Sequence, residues 1–285
     1  MSTRKIVKRT KKGKLVKLDY FMLGFGSMVG VGWAVSSNNW MAQSGGPLPA
    51  FLGFIIGILL LIPIGFCYGE LTSSLPVSGG VMAYTYAAFG TPVSFLSSWF
   101  VALAYLTILP WEAIYINRIL SNLIPFFNSG TVLYHIGGNP IYLSSVILGL
   151  IFAFILFIIN FKGSKSAAKL QTVLSWAIIV IGIIVIILSL IKGSLSNLFP
   201  FYENIGVGEH TGSFTGILSM IVLVPFFMAG FDTIAQSAPE ADPDVEFKDI
   251  AKVLILSIIA AGIFYALVII STGSVSPWKI YALEN

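Results

Sequence analysis

The first chemistry this sequence offers lies in its backbone rather than in a cluster of reactive side chains. Residues 24–33 read GFGSMVGVGW, and four of the ten are glycine. A glycine inside a helix costs about 1 kcal/mol relative to alanine, so Gly24, Gly26, Gly30 and Gly32 mark a place where a helix unwinds easily. Unwinding frees N–H groups that can hold an anion and C=O groups that can hold a cation. At membrane depth such groups are tolerated only when buried in protein or lining a cavity, so a break there argues for a binding site. The competing reading is close helix packing, since Gly26 and Gly30 also satisfy G-x-x-x-G. A second interruption, FFMAGFD at 226–232, ends on Asp232, the most deeply placed acid in the chain. Asp232 has no basic neighbour in sequence and is a candidate for proton-linked gating; the alternative is a carboxylate that caps or pairs with a helix end.

The remaining ionisable residues carry less. Glu112 and Arg118 sit toward the far end of an apolar run; an ionisable residue within a span is a candidate for function, and the competing reading is that the nearby water interface solvates or pairs them. His135 and His210 fall in loops without ligand spacing, so no metal site is expected. The single cysteine, Cys67, lies in an apolar run and excludes a disulfide within the chain. Neither covalent chemistry nor a cofactor is expected.

The elements that must position these groups follow from composition. A chain of 285 residues, 56% hydrophobic and 10% charged, has more apolar surface than a soluble domain can hide. It reads as a multi-pass membrane protein embedded in a lipid bilayer. Seven apolar runs cover residues 20–42, 50–69, 93–123, 141–159, 173–190, 214–235 and 253–271. Pro63 kinks the second, and Trp176 anchors the fifth at the interface. Residues 70–95 read as a polar, glycine-rich and aromatic connection, and 192–213 as a loop. Residues 1–17 hold eight basic residues and no acid before Asp19. They read as a cytoplasmic tail near anionic headgroups; a nucleic-acid partner is not expected. With the N-terminus inside, 13 of the 16 Lys and Arg residues face the cytoplasm, the orientation the positive-inside rule requires.

The two glycine-broken runs, the first and the sixth, are five helices apart. An odd repeat length inverts the second copy relative to the first, so both breaks can face each other at the bilayer midplane. Paired, interrupted helices at matching positions are the sequence pointer to a transporter site.

The sequence resembles the N-terminal part of an amino acid permease of the amino acid–polyamine–organocation superfamily. The resemblance is carried by GSMVGVG at 26–32, GELTSSLPVSGGVMAYTYAAFG at 69–90, NFKGSKSAAKLQ at 160–171 and FFMAGFDTIAQSAPEADP at 226–243. It implies an all-α integral membrane protein with seven transmembrane helices of a five-plus-five inverted-repeat, leucine-transporter-like fold. After the tail at 1–17, residues 18–200 would form the first repeat and 201–285 the start of an incomplete second. The resemblance implies secondary transport of amino acids by alternating access in the cell membrane. The substrate carboxylate would sit on the amides of Val31 and Gly32, beside Gly30. The amine would sit on carbonyls of Met28, Phe226 and Ala229, with Gly230 also at the substrate, and side-chain selectivity would fall to residues near the sixth-helix break, Phe226 and Phe231 among them.

Three departures from the family pattern qualify this. Gly30-Val31-Gly32 stands where relatives often have G-S-G, so a serine hydroxyl is missing. Ser175 stands where several proton-coupled relatives carry lysine, which leaves the coupling ion open between proton and sodium. Only seven of at least ten helices are present, so a companion chain supplying the rest, a fragment without transport, an amine or polyamine carrier and a non-transporting amino acid sensor are the alternatives.

Overall fold

The computed structural model describes residues 15–136, 139–161, 163–208 and 212–283. Most of the basic tail, His210 and Lys162 therefore lie outside the described residues, as does the side chain of Arg118.

Helix dominates. The first apolar run is two helices, α1 (Lys17–Met28) and α2 (Trp33–Ser44), bent by 51° at residues 29–32. The second run is α3 (Pro47–Ser74), started by Pro47 at its first turn, where the missing N–H would find no intrahelical partner anyway. A short α4 (Val81–Phe89) lies within the stretch expected to be connection, and Tyr84 on it is buried, with Thr72 and Tyr84 hydroxyls 3.1 Å apart. The third run is α5 (Thr91–Leu123), with Pro110 inside it. Between it and the next span, strands β1 (Val132–Ile136) and β2 (Asn139–Tyr142) form a small antiparallel pair, an addition to an otherwise helical chain that the sequence reading did not include. Alternation of apolar and polar residues there is too short to stand out beside the long apolar run that follows.

The fourth and fifth runs are α6 (Leu143–Phe161) and α7 (Ser164–Lys192). The sixth is α8 (Ser213–Phe227), a turn at residues 228–232, then the four-residue α9 (Thr233–Gln236). The seventh is α10 (Phe247–Gly273), followed by α11 (Trp278–Leu283). Of these, α3, α5, α6, α7 and α10 are each long and apolar enough to cross a membrane, and the bent α1–α2 pair makes a sixth. α8 alone, at 15 residues, rises only about 22 Å and falls short of a bilayer core.

The core forms where α8 and α10 pack on α3, with α1 and α2 packed in turn on α10. A stripe of small residues on α3 permits the approach: a Cβ on Gly57 would lie 2.7 Å from Val224 of α8, and one on Gly69 would lie 2.9 Å from Ala251 of α10. Small residues at such seams let helix backbones come close where lipid offers no hydrophobic drive for association. Around this seam Trp40, Phe54, Phe227 and Tyr265 interlock, with Trp40 4.9 Å from Phe227 and 5.0 Å from Phe54 by ring centroid. By contrast α6 has no buried residue, and Leu150, Phe154 and Phe157 project outward as lipid would require.

Both ends of the first span are tied down. At one end Leu15 pairs with the segment after α9: its N–H donates to Glu240 O at 3.1 Å and its carbonyl accepts from Asp242 N at 3.0 Å, while Lys17 Nζ lies 2.7 Å from Asp249. At the other end Ser37 and Tyr281 hydroxyls are 2.6 Å apart, Trp278 Nε1 donates to Pro200 O at 2.6 Å, and Lys279 pairs with Glu203.

Candidate functional site

The two interrupted apolar runs, α1–α2 and α8–α9, meet. Gly230, in the turn between α8 and α9, has φ of +112° and lies where a Cβ would come 2.7 Å from Ser27 O on α1. Only glycine enters that conformation without strain, and only glycine leaves room for the other backbone. Tyr265 of α10 then bridges both breaks: its hydroxyl donates to Met28 O at 2.8 Å and reaches Phe227 O at 3.4 Å. Thr233 completes the seam, its Oγ1 donating to Gly230 O at 2.6 Å.

Beside this crossing is a cavity of about 220 Å³. Ser27, Met28 and Gly32 line it from the first span, and Phe226, Phe227, Ala229 and Thr233 from the sixth. α5 supplies the opposite wall through Tyr105, Ile108, Trp111 and Glu112, one helical face, and Tyr265 closes the floor. Trp111 meets Phe226 edge-on at 5.5 Å, an aromatic rim over the cavity. No Lys, Arg or His lines it among the described residues.

Among the residues expected from sequence to bind, Met28, Gly32, Phe226 and Ala229 line the cavity, while Gly30, Val31 and Gly230 lie in the breaks themselves. Phe231 turns away and packs edge-on against Tyr68 at 5.2 Å. The carbonyl of Met28 already accepts from Tyr265, with its second lone pair remaining. Ser175 is fully buried on α7, donates to Met22 O at 2.9 Å and is not among the cavity residues.

Asp232 is buried, with both oxygens engaged: Oδ1 accepts from Tyr105 at 2.5 Å and Oδ2 from Gln236 Nε2 at 2.8 Å. It occupies the N-cap position of α9, yet its side chain does not cap that helix. Tyr105 thus links the cavity wall to this acid.

The opening glycines divide by role. A Cβ on Gly24 would run into Ile234, and one on Gly26 into Ser175, so these two serve packing. Gly32 has only ordinary contacts in prospect, 3.8 Å to Phe227 and 4.0 Å to Ser36, and caps the N-terminus of α2. At Gly30 the would-be neighbour is the carboxylate of Glu112.

Glu112 is the residue whose position differs most from the sequence expectation. Expected near the water interface, it instead reaches across from α5 to the first break, where its Oε2 accepts from Val31 N at 3.2 Å. Position along a run gives depth but not which neighbour a side chain meets, and Val31 is 81 residues away. Tyr265 and Tyr105 had no sequence signal beyond being aromatic in apolar helices.

The profile of a family described as amino acid permease matches residues 16–285. Branched-chain amino acid permease BcaP of Bacillus subtilis (strain 168) is 25% identical over 283 residues, covering 96% of this chain and 57% of that protein. The aspartate-proton symporter of Bacillus subtilis (strain 168) is 27% identical over 264 residues, 90% of this chain and 47% of the other. Cationic amino acid transporter 4 of Mus musculus is 26% identical over 277 residues, 93% and 41% respectively. The chain spans about half the length of the curated relatives it matches.

Proposed function

Because the chain belongs to the amino acid permease family, whose profile matches residues 16–285, we propose that it takes part in secondary transport of amino acids by alternating access. The observation that carries this reading is the meeting of the two broken spans over one cavity. There the substrate carboxylate takes the amides of Val31 and Gly32, at the positive end of the α2 dipole, and the amine takes carbonyls of Met28, Phe226 and Ala229. Trp111 and Phe226 cover the substrate side chain. Binding and release are non-covalent throughout.

In this reading residues 18–200 are one repeat and 201–285 belong to the second, inverted one, with the N-terminus in the cytoplasm and the protein in the cell membrane. Proton coupling is the better supported ion mode, since one relative is named a proton symporter. A second reading, an amine carrier, is favoured by one observation: among the described residues an acid and no basic residue lines the cavity. Purified protein screened with the twenty common L-amino acids and their decarboxylated amines tests the choice by ligand-dependent thermal stabilisation. An amino acid that raises the melting temperature while its amine does not supports the first reading; the reverse supports the second. Uptake of the stabilising ligand into vesicles, set against empty vesicles, then separates a carrier from a sensor.

A further inference from the structure

We propose that Glu112 is a tethered stand-in for the substrate carboxylate, seated on the Val31 amide when the cavity is empty and displaced when an amino acid binds. This rests on the reading above that the substrate carboxylate is held at Val31 and Gly32.

Two independent observations point to a built seat. Glu112 Oε2 accepts the Val31 N–H at 3.2 Å, so a carboxylate already occupies one of the amides at the start of α2. The space it fills exists only because residue 30 has no side chain: a Cβ there would meet the whole carboxylate group, its carbon at 2.8 Å and Oε2 at 3.0 Å. The glycine-rich break is thus shaped around a carboxyl group of the protein itself.

The surroundings explain why the seat is taken. Glu112 shares its wall with Tyr105, Ile108 and Trp111, none of them a cation, and among the described residues lining the cavity the partly positive group it meets is the α2 terminus. One N–H cannot serve two carboxylates at full strength, and two like charges at one amide repel. An arriving amino acid must therefore exchange its carboxylate for that of Glu112. A decarboxylated amine has nothing to exchange and leaves Glu112 where it is. In the empty carrier the tethered group keeps the opened backbone hydrogen-bonded, which an unwound turn at membrane depth otherwise lacks.

The consequence runs against the usual result of mutating a site residue. Removing Glu112 removes a competitor, so amino acid binding tightens. A hydrogen bond to a charged group is worth about 1.5–3 kcal/mol, equivalent to a factor of roughly 10 to 150. Glu112→Ala is therefore expected to bind L-leucine about tenfold or more tightly than wild type, with no gain for isopentylamine, its decarboxylated counterpart. Glu112→Gln keeps an acceptor without charge, and its gain for L-leucine is smaller but in the same direction. L-lysine and cadaverine form a second pair for which the same ordering holds.

Dissociation constants of the four ligands for the purified protein and both variants decide the matter. If L-leucine binds no tighter to either variant, or weaker, the stand-in role is wrong. Loss of amine binding with unchanged L-leucine binding assigns Glu112 instead as counter-ion to a substrate cation. Should Glu112→Ala fail to fold, the constants of Glu112→Gln decide by themselves. If wild type and both variants bind no L-amino acid at all, it is the reading of the site that falls, an outcome distinct from wild type binding with no gain in the variants.

Discussion

Asp232 has each carboxylate oxygen held by a donor, Tyr105 at 2.5 Å and Gln236 at 2.8 Å. Such a group behaves first as a structural tie between the cavity wall and the sixth-span break. In Asp232→Asn one oxygen becomes an NH₂ group facing a donor, and a buried hydrogen bond to a charge is lost; the expected cost is about 1.5–3 kcal/mol, read as a lower melting temperature. A variant as stable as wild type whose ligand binding loses its pH dependence would return Asp232 to the gating role its position in the sequence suggests. The glycines of the first span give a second test at this scale. Gly26→Ala drives a methyl into Ser175 and destabilises the protein, whereas Gly32→Ala meets Phe227 only at 3.8 Å and leaves stability within about 1 kcal/mol of wild type. Composition made the run conspicuous, but it could not tell packing glycines from cavity glycines, because that depends on which distant helix arrives opposite each one.

Among the elements, α3 and α10 form the central pair, with α8 packed on α3 and α1 and α7 packed on α10. Gly57 faces Val224 across the α3–α8 seam, with no room for a methyl group. Gly57→Leu forces the two helices apart and is expected to cost about 1–3 kcal/mol, and Val224→Ala in the same chain recovers part of the loss. Equal stability of Gly57→Leu and wild type would mean that the seam is looser than the structure has it. The long spans were legible from apolar length alone, since α3, α5, α6, α7 and α10 each follow one run. The bend between α1 and α2 was legible from glycine. Less so were α4 and the β1–β2 hairpin: α4 has only nine residues, and its aromatic, glycine-flanked sequence reads equally well as connection. The sixth span's division into α8 and a single-turn α9 followed from Pro225 and Gly230 only in outline. How far the helix would stop short was set by Gly230 fitting against Ser27, a tertiary contact.

At the scale of the molecule, the two ends of the first span face opposite ways, fixed at one end by Leu15 on Ala241 and at the other by Gly45 O accepting from Glu203 N at 2.8 Å. Single cysteines placed at Val16 and Val207, in a Cys67→Ser background, are therefore expected to react with membrane-impermeant thiol reagents from opposite sides, Val16 from the cytoplasm. Labelling of both from one side would contradict the topology that the basic residues dictate. The central claim is that the amides at the start of α2 hold a substrate carboxylate between two interrupted spans. Glu112 covers Val31 in the empty protein, which leaves the Gly32 amide to favour an acid over its amine from the outset. The most direct measurement is competition for the cavity of the wild-type protein between the best-binding L-amino acid and its own decarboxylated amine. The amine is expected to compete about tenfold more weakly, the low end of what one hydrogen bond to a charged group is worth. An amine that competes as well as the amino acid, or better, would contradict that claim and make this cavity a site for cations.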